Sequence, residues 1–349
     1  MNKEWNDNYN SFNSNKALMY RQWYDGIVKG EFLPPVEASV DPVNDCNLNC
    51  LWCNGYDVRK RKEMMSPYHL LELCDFFAKW GVKAVCFAGG GEPTMHPALG
   101  DAFQRLHVLK VPSAIITNGL FLDEEQIKRI ATYAQWIGIS IDCAKEETYE
   151  KIKGRNMFKT VMRNISTLMS YSPREVTYKF LIHPFNQYEI YSAIRTAALI
   201  GMHAIHIRPV SFRNFQKHEE QFDVTRINKQ INEGFQDYGD KIKIFAVRHK
   251  FNADLHVKFP FEKCLATPIM PIFQANGDVT LCIDRKADKR MILCRHDNPE
   301  TVLKVWGSKE HHDLIKAIDI KDCPKCTFTH INEQIERAVI NDEYNWGFS

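Results

Sequence analysis

The sequence lacks any segment suited to cross a membrane or to direct export. No apolar run in its 349 residues reaches the roughly 18 residues that a membrane-spanning helix needs. The opening stretch, MNKEWNDNYNSFNSN, is polar and has no apolar core of the kind found in secretory signals. We therefore expect a cytoplasmic protein that has no membrane partner.

The sequence also carries almost no net charge. Its 45 basic and 43 acidic residues give a formal charge of +2 at pH 7. A protein whose main partner is a nucleic acid usually presents a strongly basic face. We therefore expect no nucleic-acid partner. The hydrophobic share of 44% and the charged share of 25% are those of an ordinary globular enzyme.

Cysteine, in contrast, is abundant and unevenly distributed. The chain has 11 cysteines, and without an export signal these favour metal or redox chemistry over disulfides. Cys46, Cys50 and Cys53 lie in one short stretch, and Cys323 and Cys326 lie close together near the end. This clustering predicts metal sites.

Short apolar runs alternate with helix-like stretches between residues 36 and 240. Six β-α repeats predict a parallel sheet with helical crossovers, either doubly wound or curled toward a barrel. The chemistry of such folds lies at the carboxyl ends of the strands. We predict an N-terminal lead-in (1–35), an α/β core (36–240) and a cysteine-rich region (241–349). The predicted strands are 36–40, 84–87, 114–117, 136–141, 179–182 and 204–207.

The first cysteine triplet, Cys46-x3-Cys50-x2-Cys53, directly follows a predicted strand. Cubane iron–sulfur clusters normally take one cysteine per iron, so three nearby thiolates would leave one iron open. A zinc site here would need a distant fourth ligand. The spacing favours a cluster over zinc.

This triplet resembles the C-x3-C-x-aromatic-C signature of the radical S-adenosylmethionine (SAM) superfamily, with Trp52 at the aromatic position. The resemblance implies a partial (β/α)6 barrel and a [4Fe–4S] cluster whose open iron binds the amino and carboxylate groups of SAM. It also implies reductive cleavage of SAM to a 5′-deoxyadenosyl radical, which takes a hydrogen atom from the substrate. The electron would come from an external reductant such as flavodoxin or ferredoxin.

A glycine-rich segment, Gly89-Gly90-Gly91-Glu92-Pro93, follows the second predicted strand and is similar to the GGE motif of that family. Glycine allows close backbone approach, although a glycine run alone would also fit an ordinary turn. The resemblance places further SAM contacts at later strand ends, where each residue could equally be a turn residue or a solvated charge. The predicted SAM-binding residues are Trp52, Gly90, Gly91, Glu92, Thr117, Asn118, Ser140, Lys179 and Arg208.

The C-terminal cysteines form the pattern Cys264-x17-Cys282 followed by Cys323-x2-Cys326. Four thiolates suit either a zinc site or a complete [4Fe–4S] cluster. The pattern resembles the Twitch domain, the short form of the SPASM extension of radical SAM enzymes, which implies one auxiliary [4Fe–4S] cluster. Residues 327–335 hold no cysteine, so the second auxiliary cluster of a full SPASM domain is not expected.

Four cysteines remain after these seven ligands. Cys74 and Cys86 fall on apolar faces and are predicted core residues. Cys143 and Cys294 are either packing residues or thiols that donate a hydrogen atom to a substrate radical.

The resemblance favours a radical SAM oxidoreductase acting on a small polar metabolite of the sugar or aminocyclitol class. The four-cysteine spacing is similar to that of an aminocyclitol dehydrogenase, and only a short segment precedes the first predicted strand. An auxiliary cluster that accepts an electron would make the reaction a net oxidation. The alternative is modification or epimerisation of a ribosomally made peptide or of a sugar, with Cys143 or Cys294 as hydrogen donor. A non-enzymatic sensor is disfavoured, because the glycine motif would then have no use.

Overall fold

Ten strands form a single sheet in the computed structural model, which describes residues 19–210, 222–247 and 257–340. Strands β1 to β7 lie side by side in chain order and are all parallel. The strands β1 to β10 are Glu37–Asp41, Ala84–Phe87, Ser113–Thr117, Trp136–Ser140, Val176–Ile182, Ala204–Pro209, Lys243–Ala246, Ile272–Gln274, Asp278–Thr280 and Ile292–Arg295.

Helices connect the parallel strands as crossovers. Ser66 caps α3, because its side chain accepts a hydrogen bond from the His69 N–H. No helix in the described ranges is both long and apolar enough to cross a bilayer. The helices α1 to α12 are Arg21–Lys29, Tyr56–Arg59, Pro67–Trp80, Leu99–Val108, Glu124–Tyr133, Glu146–Lys153, Phe158–Ser170, Ile190–Ile200, Val224–Tyr238, Pro299–Val305, Lys309–Lys316 and Thr329–Gln334.

The predicted α/β fold with a parallel sheet is confirmed, and all six predicted strands are present as β1 to β6. Four strands were missed. Strands β8 to β10 lie in the cysteine-rich region, for which no strand was predicted. Strand β7 (Lys243–Ala246) pairs in parallel with β6 just beyond the predicted end of the repeats. It escaped detection because it begins with the exposed Lys243. The division of the chain near residue 240 stays a prediction. Residues 1–18 of the predicted lead-in lie outside the described residues.

The C-terminal region continues the parallel sheet of β1 to β7, which we call the barrel. Strand β8 pairs in parallel with β1, from Ser39 opposite Ile272 to Asp41 opposite Gln274. Strands β9 and β10 then add on in antiparallel fashion, so that β10 lies furthest from β7. The cysteine-rich region and the barrel therefore share one hydrogen-bonded sheet.

The two faces of the parallel strands differ in chemistry, since side chains alternate along each strand. Ile137 and Ile139 of β4 are fully buried in the main hydrophobic core. The opposite face carries Trp136, Gly138 and Lys179. A Cβ on Gly138 would meet the side chains of Trp136 and Lys179, which shows that the three residues share this face. We call this second face the inner face.

Candidate active site

The loop after β1 carries Cys46, Cys50 and Cys53, each half-buried. Two backbone hydrogen bonds hold the loop to the end of α6, from Asn49 N–H to Lys153 O (2.9 Å) and from Leu51 N–H to Ile152 O (2.9 Å). The Arg59 guanidinium donates to Leu48 O at 2.9 Å and to Asn49 Oδ1 at 2.7 Å. The cysteine loop is thus fixed from both sides.

The three thiols influence one another electrostatically. Burial raises the pKa of Cys46 to about 12, and Glu92, Cys50 and Cys53 add to the rise. Burial also raises the pKa of Cys50, an effect that nearby Lys153 opposes. The thiolate form therefore needs added positive charge, which iron ions bound to the thiolates would supply.

A zinc site needs several ligands that converge on one ion, unlike an iron–sulfur cluster. Among the described residues, no three His, Cys, Asp or Glu side chains converge closely enough to hold one metal ion. The cysteines of a four-iron cluster bind separate irons. The arrangement of Cys46, Cys50 and Cys53 therefore does not match a site for a single zinc ion. It remains compatible with a four-iron cluster.

The glycine turn after β2 packs directly on the segment that precedes Cys46. The N–H of Gly91 donates to Val43 O at 2.9 Å, and the N–H of Glu92 donates to Asp45 O at 2.8 Å. A Cβ on Gly91 would lie 1.9 Å from Asp45 O. Likewise, a Cβ on Gly90 would lie 2.1 Å from the side-chain oxygen of Asn44. Only glycine permits this approach.

Glu92 joins the ends of β2 and β3. Its buried carboxylate accepts hydrogen bonds from Thr117 Oγ1 (2.6 Å), Asn118 N–H (2.8 Å) and Thr94 Oγ1 (2.8 Å). Burial raises the pKa of Glu92, and these hydrogen bonds oppose the rise. The Asn118 amide donates to Asn47 Oδ1 in the cysteine loop at 2.7 Å. Three of the predicted residues therefore form one network with the cysteine loop.

A buried ion pair that was not predicted from the sequence supports the same loop. Lys153 Nζ lies 2.6 Å from Asp142 Oδ2, and each side chain is 3% exposed. Desolvation by burial would lower the pKa of Lys153, but Asp142 raises it overall. Asp142 also accepts from Leu181 N–H at 2.8 Å. Because Lys153 O binds the cysteine loop, this pair ties the end of β4 to it.

The remaining predicted SAM contacts lie outside the hydrogen-bond network around Glu92. Half-buried Ser140 ends β4 and lies opposite half-buried Lys179 of β5. Lys179 Nζ lies 5.4 Å from the ring centroid of Trp136. Arg208 is the second-last residue of β6 and lies opposite Leu181, and burial lowers its pKa. Trp52 is buried and stacks on His183 at a centroid distance of 4.8 Å.

The second cysteine set is assembled by buried polar side chains. Asn332 of α12 accepts from Leu265 and Ala266 N–H groups at 2.6 and 2.8 Å, and its amide lies 3.5 Å from Cys326 Sγ. Asp284 accepts from Thr327 N–H at 2.6 Å. These contacts join the segments that carry Cys264, Cys282, Cys323 and Cys326.

These four thiols also lie close enough to affect one another. Burial raises the pKa of Cys264 to about 12, with Cys326 and Cys323 adding to the rise. Burial raises the pKa of Cys282 as well, with Asp284 and Cys264 adding to it. The arrangement provides a four-thiol donor set. Neither Asn332 nor Asp284 was a predicted site residue, although each is within six positions of a predicted ligand.

The two cysteine regions are in contact. Asn54, next to Cys53, donates to Ile283 O, next to Cys282, at 3.2 Å. Buried Lys286 donates to Asp41 Oδ2 at 2.6 Å and to Gly89 O at 3.1 Å. The C-terminal region therefore docks on the end of β1 and on the glycine turn.

The two possible hydrogen donors lie far apart in the sheet order. Cys143 follows β4 and is fully buried in the main core, where its thiol lies 3.5 Å from Ile141 O. Cys294 is half-buried on β10, and burial raises its pKa to about 11. Cys74 and Cys86 are buried, in agreement with their prediction as core residues.

Comparison with known proteins gives a fold, and a match to one family over part of the chain. Residues 40–197 match the model of the Radical SAM superfamily. A protein of Saccharolobus islandicus named "Probable GTP 3′,8-cyclase" is 24% identical over 284 residues, which cover 77% of this chain and 86% of that protein.

Two solved structures share the fold. Streptococcus suis SuiB bound to precursor peptide SuiA has a TM-score of 0.67 at 15% identity, over 91% of this chain and 76% of SuiB. Native anSMEcpe with bound AdoMet has a TM-score of 0.60 at 16% identity, over 86% of this chain and 89% of that protein.

Proposed function

We propose that this chain, whose residues 40–197 match the model of the Radical SAM superfamily, is a radical SAM oxidoreductase that acts on a small polar metabolite. When bound, a [4Fe–4S] cluster and SAM supply the reductive cleavage of SAM to a 5′-deoxyadenosyl radical, which takes a hydrogen atom from the substrate. Cys46, Cys50 and Cys53 would hold this cluster. The observation that carries the proposal is the direct packing of the glycine turn on the cysteine loop, because it joins the two matching motifs.

In this proposal Glu92 acts mainly as a positioning residue. Its carboxylate is occupied by Thr94, Thr117 and Asn118, so it fixes the turn while Gly90 and Gly91 offer backbone groups to the SAM amino group. The other proposed SAM contacts are Trp52, Thr117, Asn118, Ser140, Lys179 and Arg208. Their hydroxyl, amide and cationic groups suit a ribose and a carboxylate.

We further propose that Cys264, Cys282, Cys323 and Cys326 hold an auxiliary [4Fe–4S] cluster in a Twitch-like domain. The substrate radical left after hydrogen abstraction would lose one electron and one proton, and the auxiliary cluster would accept the electron. Support comes from the Asn54 contact with Ile283, which brings the two cysteine regions together. The Asn332 amide near Cys326 Sγ would also stabilise a ligand thiolate.

The proposed substrate class is a sugar or an aminocyclitol. The inner face supports it, because Ser140 and Lys179 lie on neighbouring strands and can bind hydroxyl or acidic groups.

Peptide modification is the second candidate. The structural match to SuiB bound to its precursor peptide covers 91% of this chain, which favours this candidate. Turnover in deuterated water separates epimerisation from oxidation, since thiol protons exchange with solvent. A carbon-bound deuterium in the product, lost in Cys143→Ala or Cys294→Ala, would establish a thiol hydrogen donor instead of oxidation.

Anaerobic reconstitution tests the central proposal. We expect about eight irons per chain, the sum of two four-iron clusters. Replacing Cys46, Cys50 and Cys53 by Ala should leave about four irons and abolish formation of 5′-deoxyadenosine. Cys74→Ala, which removes a buried cysteine outside both sets, is the control. Continued SAM cleavage in the triple variant would refute the assignment.

A further inference from the structure

Basic side chains from two distant segments surround the outer side of the cysteine loop. Residues 59–62 read Arg-Lys-Arg-Lys, and the last three are exposed. Exposed Lys151 and Arg155 flank the end of α6. We call the exposed group the basic surface: it consists of Lys60, Arg61, Lys62, Lys151 and Arg155.

Short contacts attach both segments to the loop. On one side, Arg59 donates to Leu48 O and to the Asn49 side chain. On the other side, Lys153 O accepts from Asn49 N–H, and a Cβ on Gly154 would lie 2.9 Å from Asn49 O. The basic surface and the cysteine loop are therefore one structural unit.

Positive charge is concentrated here. Residues 51–64 contain four basic residues and only two acidic ones, Asp57 and Glu63, so this short stretch carries the same +2 as the entire chain. Asp57 pairs with Lys60 at 3.4 Å, and the Glu63 carboxylate accepts from the Asn44 amide. Within the described ranges, Arg61 and Lys62 form no ion pair.

Large apolar side chains are exposed beside these charges. Leu51, between two predicted ligands, is 48% exposed, Tyr56 is 49% exposed and Met64 is 46% exposed. Lys60 Nζ lies 4.3 Å from the Tyr56 ring centroid. An apolar patch with a rim that is basic on balance is typical of a surface that binds an acidic protein.

We propose that the basic surface docks an acidic one-electron carrier protein of the flavodoxin or ferredoxin kind. The inference rests on the proposed function, because each SAM cleavage consumes one electron from outside. The carrier is oxidised by one electron and the cluster is reduced by one. Electron transfer slows steeply with distance, and exposed Leu51 lies next to Cys50 in the chain, so a carrier bound here comes close to the cluster.

Charge reversal tests the docking. In reconstituted protein, Arg61→Glu/Lys62→Glu and, separately, Lys151→Glu/Arg155→Glu should each slow cluster reduction by purified flavodoxin hydroquinone about tenfold at low ionic strength. The same variants should weaken binding of oxidised flavodoxin in calorimetry. Wild-type reduction should slow with added salt, and the variants should respond less.

The matched control is Lys110→Glu/Lys241→Glu. Both lysines are exposed and precede strands, at the opposite end of the sheet from the cysteine loop, and Lys110 shares the positive φ of Lys62. This control should behave as wild type. Photoreduced 5-deazariboflavin, a small uncharged reductant, should reduce all variants equally.

Three results would overturn the proposal. Unchanged flavodoxin kinetics in both double variants would remove the docking role, and slowing with both reductants would show an effect on the cluster itself. Transfer RNA that binds wild type but not the variants, with unchanged flavodoxin kinetics, would assign the surface to nucleic acid. If the proposed function is itself wrong, wild type will form no 5′-deoxyadenosine with either reductant, which is a separate outcome.

Discussion

The two cysteine regions differ in how the fold assembles them. Cys46, Cys50 and Cys53 lie on one loop, held mainly by backbone hydrogen bonds to α6 and to the glycine turn. Cys264, Cys282, Cys323 and Cys326 come from distant segments, which the side chains of Asn332 and Asp284 hold together. The first region is thus specified locally, and the second depends on individual buried polar groups. Substitutions should therefore affect the two regions separately.

The largest effect is expected at the buried pair beneath the first region. Lys153→Met should destabilise the protein by about 3–5 kcal/mol, because it leaves the Asp142 carboxylate buried without its partner. Denaturant unfolding measures this cost, and Lys309→Met, at an exposed ion pair, is the control. If both variants lose equal stability, the cysteine loop does not rest on this pair.

The second-largest effect is expected where the glycine turn packs against the backbone before Cys46. Gly91→Ala places a Cβ 1.9 Å from Asp45 O, so we expect a loss of about 1–3 kcal/mol. The variant should also lose the first set of irons and retain about four at the second. In the control Gly81→Ala the new Cβ meets nothing within 4 Å, so any loss of stability would come from the positive φ of Gly81, which Gly91 does not share, and the iron content should stay complete. Full iron content in Gly91→Ala would show that the first cysteine region does not depend on its packing against the glycine turn.

Asn332→Ala is the corresponding test of the second region. It leaves the Leu265 and Ala266 N–H groups without their acceptor, at a cost of about 1–2 kcal/mol. Reconstituted protein should lose about four irons and still form 5′-deoxyadenosine. Asn298→Ala, which removes only a helix cap, should keep all its iron. Loss of SAM cleavage in Asn332→Ala would mean that the regions are not independent.

The smallest effect concerns pH and the attachment of the C-terminal region to the barrel. Fully buried His296 bonds to His69 of α3 at 2.8 Å and to Gln274 O at 2.8 Å. Burial lowers the pKa of His296 to about 4, whereas an unfolded histidine titrates near 6.5. The unfolded state therefore binds the proton first as pH falls, and stability decreases from about pH 6.5 down to about 4.

Between pH 7 and pH 5.5 the titration of His296 should lower the free energy of unfolding by about 1 kcal/mol. Unfolding curves of wild type and His296→Gln at several pH values measure the effect. The variant should show a shallower pH dependence over this window, and an equal slope would exclude His296 as the source.

Sequence reasoning worked best where a structural feature is encoded in consecutive residues. The β-α alternation predicted the parallel sheet, and the spacing of Gly90, Gly91 and Glu92 after a strand predicted the turn beside the cysteine loop. It failed for contacts between distant segments. Neither Asp142 with Lys153 nor Asp41 with Lys286 forms a motif, because a buried ion pair is defined by the fold that encloses it. Strand β7 was missed because it begins with the exposed Lys243, whereas β2, which is equally short, is apolar throughout.

The pairing of β8 with β1 also affects the order in which the chain can fold. Ser39 pairs with Ile272, so one side of β1 stays without its partner until most of the chain has left the ribosome. At about 5–20 residues per second this wait lasts tens of seconds. An unpaired strand edge invites association with other chains. The C-terminal region therefore completes the sheet edge of a newly made barrel as well as supplying cysteines.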